Sequence, residues 1–312
     1  MDADIRPISA TNWSHLFDVD IRAFDHDRDL AGVLALVSRT RARGDPGAIF
    51  HPGGLQWWLR RLDRVGFDVA VQSSGDDVVG FALRDGSDLI VQSDATSAAD
   101  RMELLTWIES RARDTHEREL FLSVAEDDQD LRDAVPAHGY EPSDRYGYEL
   151  VRDLGTQPAD PVLPAGFEML SLTPGSADAY IELHRAAWSR PNAPSTYERR
   201  QHDAVTAMPD FRYDLVPIVA SADGALAAYC MSWWDPGSAA VEIEPLGTHP
   251  VYRRLGLATA IVHEVLRRSW ALGAKYVLVW GTSGNQEAKA LYLGAGLRTR
   301  RVLRDHRLAL GS

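Results

Sequence analysis

Arg253, Arg254, Leu255, Gly256, Leu257 and Ala258 form a short run that follows an extended apolar stretch and opens an amphipathic helix. A loop in that place turns its backbone N–H groups outward at a helix N-terminus, where the dipole adds roughly half a positive charge. Such a loop is an anion site, and Gly256 and Ala258 keep side chains from blocking the approach. Further along, Asn285, Ala288 and Tyr292 fall on successive turns of another helix, which ends at Gly296-Leu297. Asn285 can cap that helix, and a tyrosine hydroxyl can give up a proton to a leaving group. Glu242 and Glu244 lie two apart on the strand before the loop, so alternation points both to one sheet face together with Leu246. Like charges on one partly buried face raise at least one carboxyl pKa toward neutrality, which suits a general base.

These residues need a mixed α/β frame. Leu215–Ser221 and Ala225–Ser232 read as strands joined at Asp223-Gly224, and Ala240–Leu246 as the next strand. Gly256–Leu272 is a helix with Leu257, Ile261, Val265 and Leu266 on one face, stopped by Gly273. Val277–Trp280 reads as a buried strand, Gln286–Leu293 as a helix and Leu297–Leu310 as a final strand region. Strand, crossover helix and parallel strand make a βαβ unit. The proline-rich, aperiodic stretch around residues 153–165 marks a linker, placed at 156–165 between units 1–155 and 166–312. A constant shift of 157 residues lays Leu120–Val124 on Val277–Gly281, Gly139-Tyr140 on Gly296-Leu297, and a helix starting near Ala99 on the one starting at Gly256. The chemistry does not carry over. Arg253 meets Thr96, Asn285 meets Asp128, and Tyr292 meets Val135, while the loop from Asp94 to Ala99 has no glycine and offers an acid where an anion would sit.

The two signature segments, in this order and on these elements, resemble those of the GNAT superfamily of acyl-CoA-dependent N-acetyltransferases. A dinucleotide-binding fingerprint fits less well, since it wants three glycines and an acid at the end of the next strand, which here ends Trp280-Gly281. The resemblance implies two tandem GNAT-like domains, each a mixed, mostly antiparallel sheet with a central splayed parallel pair and flanking helices. It implies acetyl-CoA as co-substrate, with the pyrophosphate on the 253–258 loop and Thr259. Pantetheine would lie along the backbone of Leu246, Gly247 and Thr248, where one amide can stabilise an oxyanion. Asn285 would touch the pantetheine, serve as a cap, or do both, and Ala288 and Tyr292 complete the set. Tyr292 takes the place of the general acid. Glu242 has the offset of the catalytic glutamate in histone-type members, whereas Glu244 lies closer to the thioester position, and the choice between them stays open. Ala258 replaces a commoner glycine and Leu297 a commoner phenylalanine. The layout is similar to that of the mycothiol synthases, a tandem group within the superfamily. The expected activity is acetyl transfer to the primary amine of a small molecule by direct transfer in the second unit, with the first unit a degenerate copy. The competing expectation is a non-catalytic acyl-CoA-binding or sensing module.

Composition bounds the remainder. The 312 residues are 45% apolar and 25% charged, with room for two cores. Net charge is −12, with 17 basic against 30 acidic side chains in residues 1–155 and 16 against 15 in the rest. An acidic chain argues against nucleic acid and is compatible with a cationic acceptor. No apolar run is long enough for a membrane helix, Met1–Arg6 lacks the layout of a signal peptide, and the single cysteine, Cys230, fits a reducing cytoplasmic setting. No metal-ligand spacing occurs, and a monomer or homodimer is expected. Trp188, Trp233 and Trp234 fall where acceptor pockets form in the superfamily, though tryptophans commonly serve as core. His184 and His202 read as polar-face residues, Trp57-Trp58 as core or cleft, and the arginines at 39–43 and 60–64 as solvated helix faces.

Overall fold

The computed structural model describes residues 19–94, 98–113, 115 and 117–310. Met1–Arg6 and the middle of the glycine-free loop, residues 95–97 with Thr96, lie outside the described residues. The first half runs β1 (Val19–Ala23), α1 (His26–Arg43), α2 (Pro52–Leu59), β2 (Phe67–Ser74), β3 (Asp77–Asp85), β4 (Asp88–Ser93), α3 (Ala98–Arg113), β5 (Glu119–Ala125), α4 (Gln129–Ala134) and β6 (Glu141–Asp153). The second runs β7 (Phe167–Ser171), α5 (Ala177–Trp188), α6 (Arg199–Thr206), β8 (Pro217–Ser221), β9 (Leu226–Asp235), β10 (Ala240–Thr248), α7 (Leu257–Ala271), β11 (Tyr276–Thr282), α8 (Gln286–Gly294) and β12 (Arg298–Ala309). Every element read in the second half is present within a few residues, as are α3, β5 and the Gly139 turn in the first.

Local chemistry explains the boundaries. Asp25 caps α1 by accepting from Arg28 N, and Gly44 ends it in the left-handed region. The shift of 157 residues survives in backbone geometry: Gly139 and Gly296 both have positive φ, at 93° and 89°, just before β6 and β12.

All twelve strands form one sheet, ordered β1-β2-β3-β4-β5-β12-β6-β11-β10-β9-β8-β7. The two halves therefore exchange their last strands. β6 pairs with β11 from Tyr276↔Asp153 to Thr282↔Gly147, and β12 pairs with β5 from Leu303↔Ala125 to Ala309↔Glu119. Each is long enough to pair on both sides, and the two meet in the middle of the sheet.

Helices α3 and α4 cover one face of the first half, packing Leu104, Leu105 and Ile108 on Leu120 and Leu122. Helices α7 and α8 do the same in the second half with Ile261, Val265 and Tyr292. A single cluster spans both halves elsewhere, joining Leu36, Leu55 and Trp57 to Tyr180, Leu183, Tyr229 and Trp233. Gly53 permits that contact, since a Cβ there would stand 2.0 Å from the Trp233 Cβ. None of the described helices is long and apolar enough to cross a membrane.

Candidate functional site

β10 and β11 are parallel neighbours for only three pairs, Ala240↔Tyr276 to Glu242↔Leu278. Beyond Ile243 they separate, and β10 bonds to β9 alone. His249 N donates to Ala227 O across β9. Alternation then turns the backbone polar groups of Leu246 and Thr248 away from β9 and into the gap. The sheet thus ends in a wedge with main-chain groups of β10 along one wall, of which Thr248 O is taken by Arg253.

At the mouth of the wedge Arg254 and Gly256 have positive φ, 65° and 82°. This double left-handed turn leaves residues 253–256 exposed. No amide from Arg254 to Thr259 bonds to another described group; the first bonded one is Ala260 N, to Gly256 O. Six free N–H groups at a helix start fit a pyrophosphate. The contribution is main-chain: Leu257 points into the core, and the Arg253 guanidinium donates to Thr248 O (3.3 Å) and Ala187 O (2.9 Å), bracing the loop. Ala258 and Thr259 add no bulk at the turn. Asn285 caps α8 by accepting from Ala288 N at 3.1 Å.

Tyr292 is buried among the α7–α8 side chains. Burial, with help from the nearby Cys230 and Glu244, raises its hydroxyl well above 10, so it stays protonated. That hydroxyl makes no bond to a described residue, yet it is not among the sealed polar atoms. It therefore keeps some solvent access.

The two glutamates share the face of β10 that lies beneath α2 and α5, and their environments differ. Glu242 is 3% exposed, covered by the start of α2. A Cβ on Gly54 would sit 2.2 Å from its Oε2. Burial, reinforced by Glu244, holds its carboxyl well above the usual range. Glu244 faces an open cleft, where desolvation outweighs the Arg60 and Arg61 charges and pushes its carboxyl up to about 7. Leu246 is not on their face. β10 carries an extra residue between Ile243 and Leu246, so Leu246 lies opposite Cys230 and packs with the α7 core. A bulge reverses the alternation that the sequence alone implies.

The Acetyltransferase (GNAT) family model matches residues 177–296. A mycothiol acetyltransferase from Clavibacter michiganensis subsp. michiganensis is 29% identical over half of this chain and 49% of its own length. The match therefore spans about half of that relative. A tandem GNAT protein from the clavulanic acid biosynthesis pathway shares the fold, with TM-score 0.61 and 17% identity, over 95% of this chain and 99% of its own. A GCN5-related N-acetyltransferase from Sphaerobacter thermophilus does so with TM-score 0.60 and 20% identity, over 93% and 95%. The chain has the fold of these tandem GNAT structures, and its second half matches the GNAT family model.

In the first GNAT-like half the corresponding wedge is filled. β4 and β5 pair only at Asp88↔Phe121 and Leu89↔Leu122 before parting. The segment after α1 enters the gap, where Gln92 Oε1 accepts from Ile49 N (3.1 Å) and Phe50 N (2.9 Å), and Ile49 packs on Ala125 and Leu303. Arg101 and Asp128, at the places of Ala258 and Asn285, form an ion pair beside Gly47. Asp94 pairs with Arg39 at 2.7 Å.

The tandem GNAT architecture also brings in residues that the sequence hid. A cleft of about 870 Å3 lies between the end of α2 and the segment joining α5 to α6, with Glu244 and Pro245 among its lining residues. Arg60, Arg61 and Arg64 line it, so they are not merely a solvated helix face. Arg41 is buried as well and meets Glu149 at 2.7 Å, with Arg300 on the same carboxylate. Trp188 lines the cleft and donates to the Tyr229 hydroxyl, which also meets His184 Nδ1 at 2.6 Å. His184 is buried, with its pKa pushed down to about 3 by desolvation, and is no surface residue. Trp233 is core and donates to Glu244 O at 2.7 Å, while Trp234 packs on the other face. Tyr148 of β6 lies over Gly281, within 3.4 Å of Asn285 O, and so the first half supplies part of the wedge wall. Spacing could not reveal these neighbours, because they lie far apart along the chain. Cys230 is fully buried and its thiol is pushed up by desolvation, as suits a small apolar core residue. Among the described residues no cluster of His, Cys, Asp and Glu could hold a metal.

Proposed function

We propose that the second half transfers the acetyl group of acetyl-CoA directly to the primary amine of a small molecule, and that each chain holds one coenzyme. The observation that carries this reading is the open wedge of β10 and β11, with six free amides at its mouth and with Glu244 and Tyr292 on its two sides. The filled wedge of the first half supports a single site.

Acetyl-CoA brings the activated carbonyl; the chain orients it and manages two protons. The 254–259 amides take the pyrophosphate, and the free edge of β10 lines the pantetheine. An amide on that edge can meet the oxygen that gains charge as nitrogen attacks. The incoming ammonium must lose one proton. Glu244, with a carboxyl near pH 7 and an open cleft before it, accepts that proton. The N–C bond forms, the nitrogen gives up its second proton to solvent as the C–S bond breaks, and the Tyr292 hydroxyl donates its proton to the departing sulfur and regains one from solvent. Glu242, sealed under α2, is out of reach of the cleft and shapes the strand instead.

Glu244→Gln tests the assignment. With a panel of primary amines read by thiol release, the variant should lose about 10²–10⁴-fold in kcat/KM, the usual range for a general base. Its rising limb near pH 7 should vanish while acetyl-CoA still binds. Unchanged rate and pH profile would remove Glu244 from the reaction, and acetyl-CoA binding without thiol release for any amine would favour a sensing module.

A further inference from the structure

Arg60 stands at the end of α2 with its guanidinium 3.6 Å from the centre of the Trp57 ring and donates to Trp57 O. Its neighbours in the cleft have acids: Arg61 and Arg64 share Asp85 at 2.6 and 3.0 Å, and Arg200 pairs with Asp63. Arg60 makes no ion pair with any described residue, and neither does Arg190 across the cleft. Desolvation, aided by Arg61, pushes Arg60 down to about 9. A fixed, partly desolvated guanidinium facing a cavity without a counter-ion is a receptor for planar or tetrahedral oxyanions. The only acid in its immediate field within the cleft is Glu244, the group that faces the amine in the reading above.

We propose that the acceptor is an amine whose own molecule carries a carboxylate or phosphate, and that Arg60, with Arg190, receives that anionic group while the amine meets Glu244. This rests on the acetyl-transfer reading and narrows its acceptor. It also reverses the expectation drawn from net charge. The acidic total is a sum over the whole chain, whereas this cleft is walled by arginine.

The test uses matched acceptors on the full chain: glycine against glycinamide, β-alanine against β-alaninamide, and phosphoethanolamine against ethanolamine, with spermidine as a cationic control. Turnover is read by thiol release at saturating acetyl-CoA, and binding by calorimetry in the presence of coenzyme A. Acids should exceed their neutral twins at least tenfold, and the carboxylate and phosphate pairs show which anion is preferred. Arg60→Met should erase the ratio without changing the KM for acetyl-CoA, and Arg60→Lys should keep part of it. Intrinsic amine reactivity is common to all variants, so a change in the ratio isolates the arginine. If Arg60 only tunes Glu244, Arg60→Met moves the pH profile and leaves the ratio intact, which overturns the proposal. Equal or better use of the neutral twins or spermidine overturns it too, as does failure of every acid to bind. Absence of turnover despite selective binding of the acids overturns acetyl transfer but upholds the anion site.

Discussion

Glu242→Gln should stabilise the protein, by an amount that depends on pH. The Glu242 Oε2 atom has no hydrogen-bond partner and faces His51 Nδ1 at 3.5 Å. That nitrogen already accepts from Gly53 N, and the other ring nitrogen meets Ala240 O. His51 is therefore neutral with its proton on Nε2, in keeping with a pKa lowered to about 3 by burial and then by Arg41. A sealed carboxylate beside the electron-rich Nδ1 is unfavourable, whereas a neutral carboxyl there is not repelled. Burial favours the protonated carboxyl of Glu242 in the fold, whereas the unfolded chain ionises near the ordinary value of 4.5.

The sign follows from proton counting. Between 4.5 and the raised folded value the native state binds one proton more than the unfolded chain, so stability falls as pH rises, by about 1.4 kcal/mol per unit. At pH 7, 2.5 units above the unfolded value, the cost has an upper limit of about 3 kcal/mol. Glutamine keeps the shape and never ionises. Urea unfolding followed by tryptophan fluorescence from pH 5 to 8 should show the variant close to the parent at pH 5. By pH 7 it should lead by up to about 3 kcal/mol. Other raised acids titrate in both proteins and cancel in the difference. A variant no more stable than the parent at pH 7, with parallel slopes, would mean that Glu242 is ionised in the fold and that the burial argument fails.

Gly256→Leu should raise the coenzyme Kd at least tenfold, because the residue holds φ at 82° and its six amides depend on that turn. The left-handed backbone also costs about 1–2 kcal/mol of stability. Calorimetry checks the first effect and thermal unfolding the second, and unchanged affinity would displace the pyrophosphate from this loop. Tyr292→Phe should lower kcat while leaving acetyl-CoA affinity within about twofold, since only the proton donor is removed; equal losses in both would indicate packing.

The second half was legible because its elements carry their own punctuation. Gly224, Gly273 and Gly296 all sit at positive φ, and Asn285 makes the cap bond that its position implies. The loop at 253–258 was legible for the same reason: its chemistry is local, made by consecutive amides. Leu246 was misplaced because a bulge leaves no signature in one sequence, and alternation past an extra residue reverses. The arginines at 60–64 were misread because the opposite wall of their cleft, from His184 to Pro245, lies far along the chain. The first half's earlier elements were not delineated, since β2 and β3 are almost continuously buried and show little alternation.

Strand exchange explains both the limits of the sequence reading and the construction of the site. Nothing in residues 141–153 or 298–309 indicates that each strand completes the sheet of the other half. Yet that crossing puts Tyr148 against the wedge and Glu149 beneath Arg41 and Arg300, fixing the halves by a buried ion pair and its partners. The contact at α2 does the same on the cleft side, where Gly53 and Gly54 let the helix rest on Trp233 and Glu242 and carry Arg60 to the cleft that Glu244 faces. Residues 166–312 alone would keep the amide loop but lose β6, the cover over Glu242 and the arginine wall. The half without an open wedge therefore has a physical role: it walls the cleft beside the open wedge of its twin.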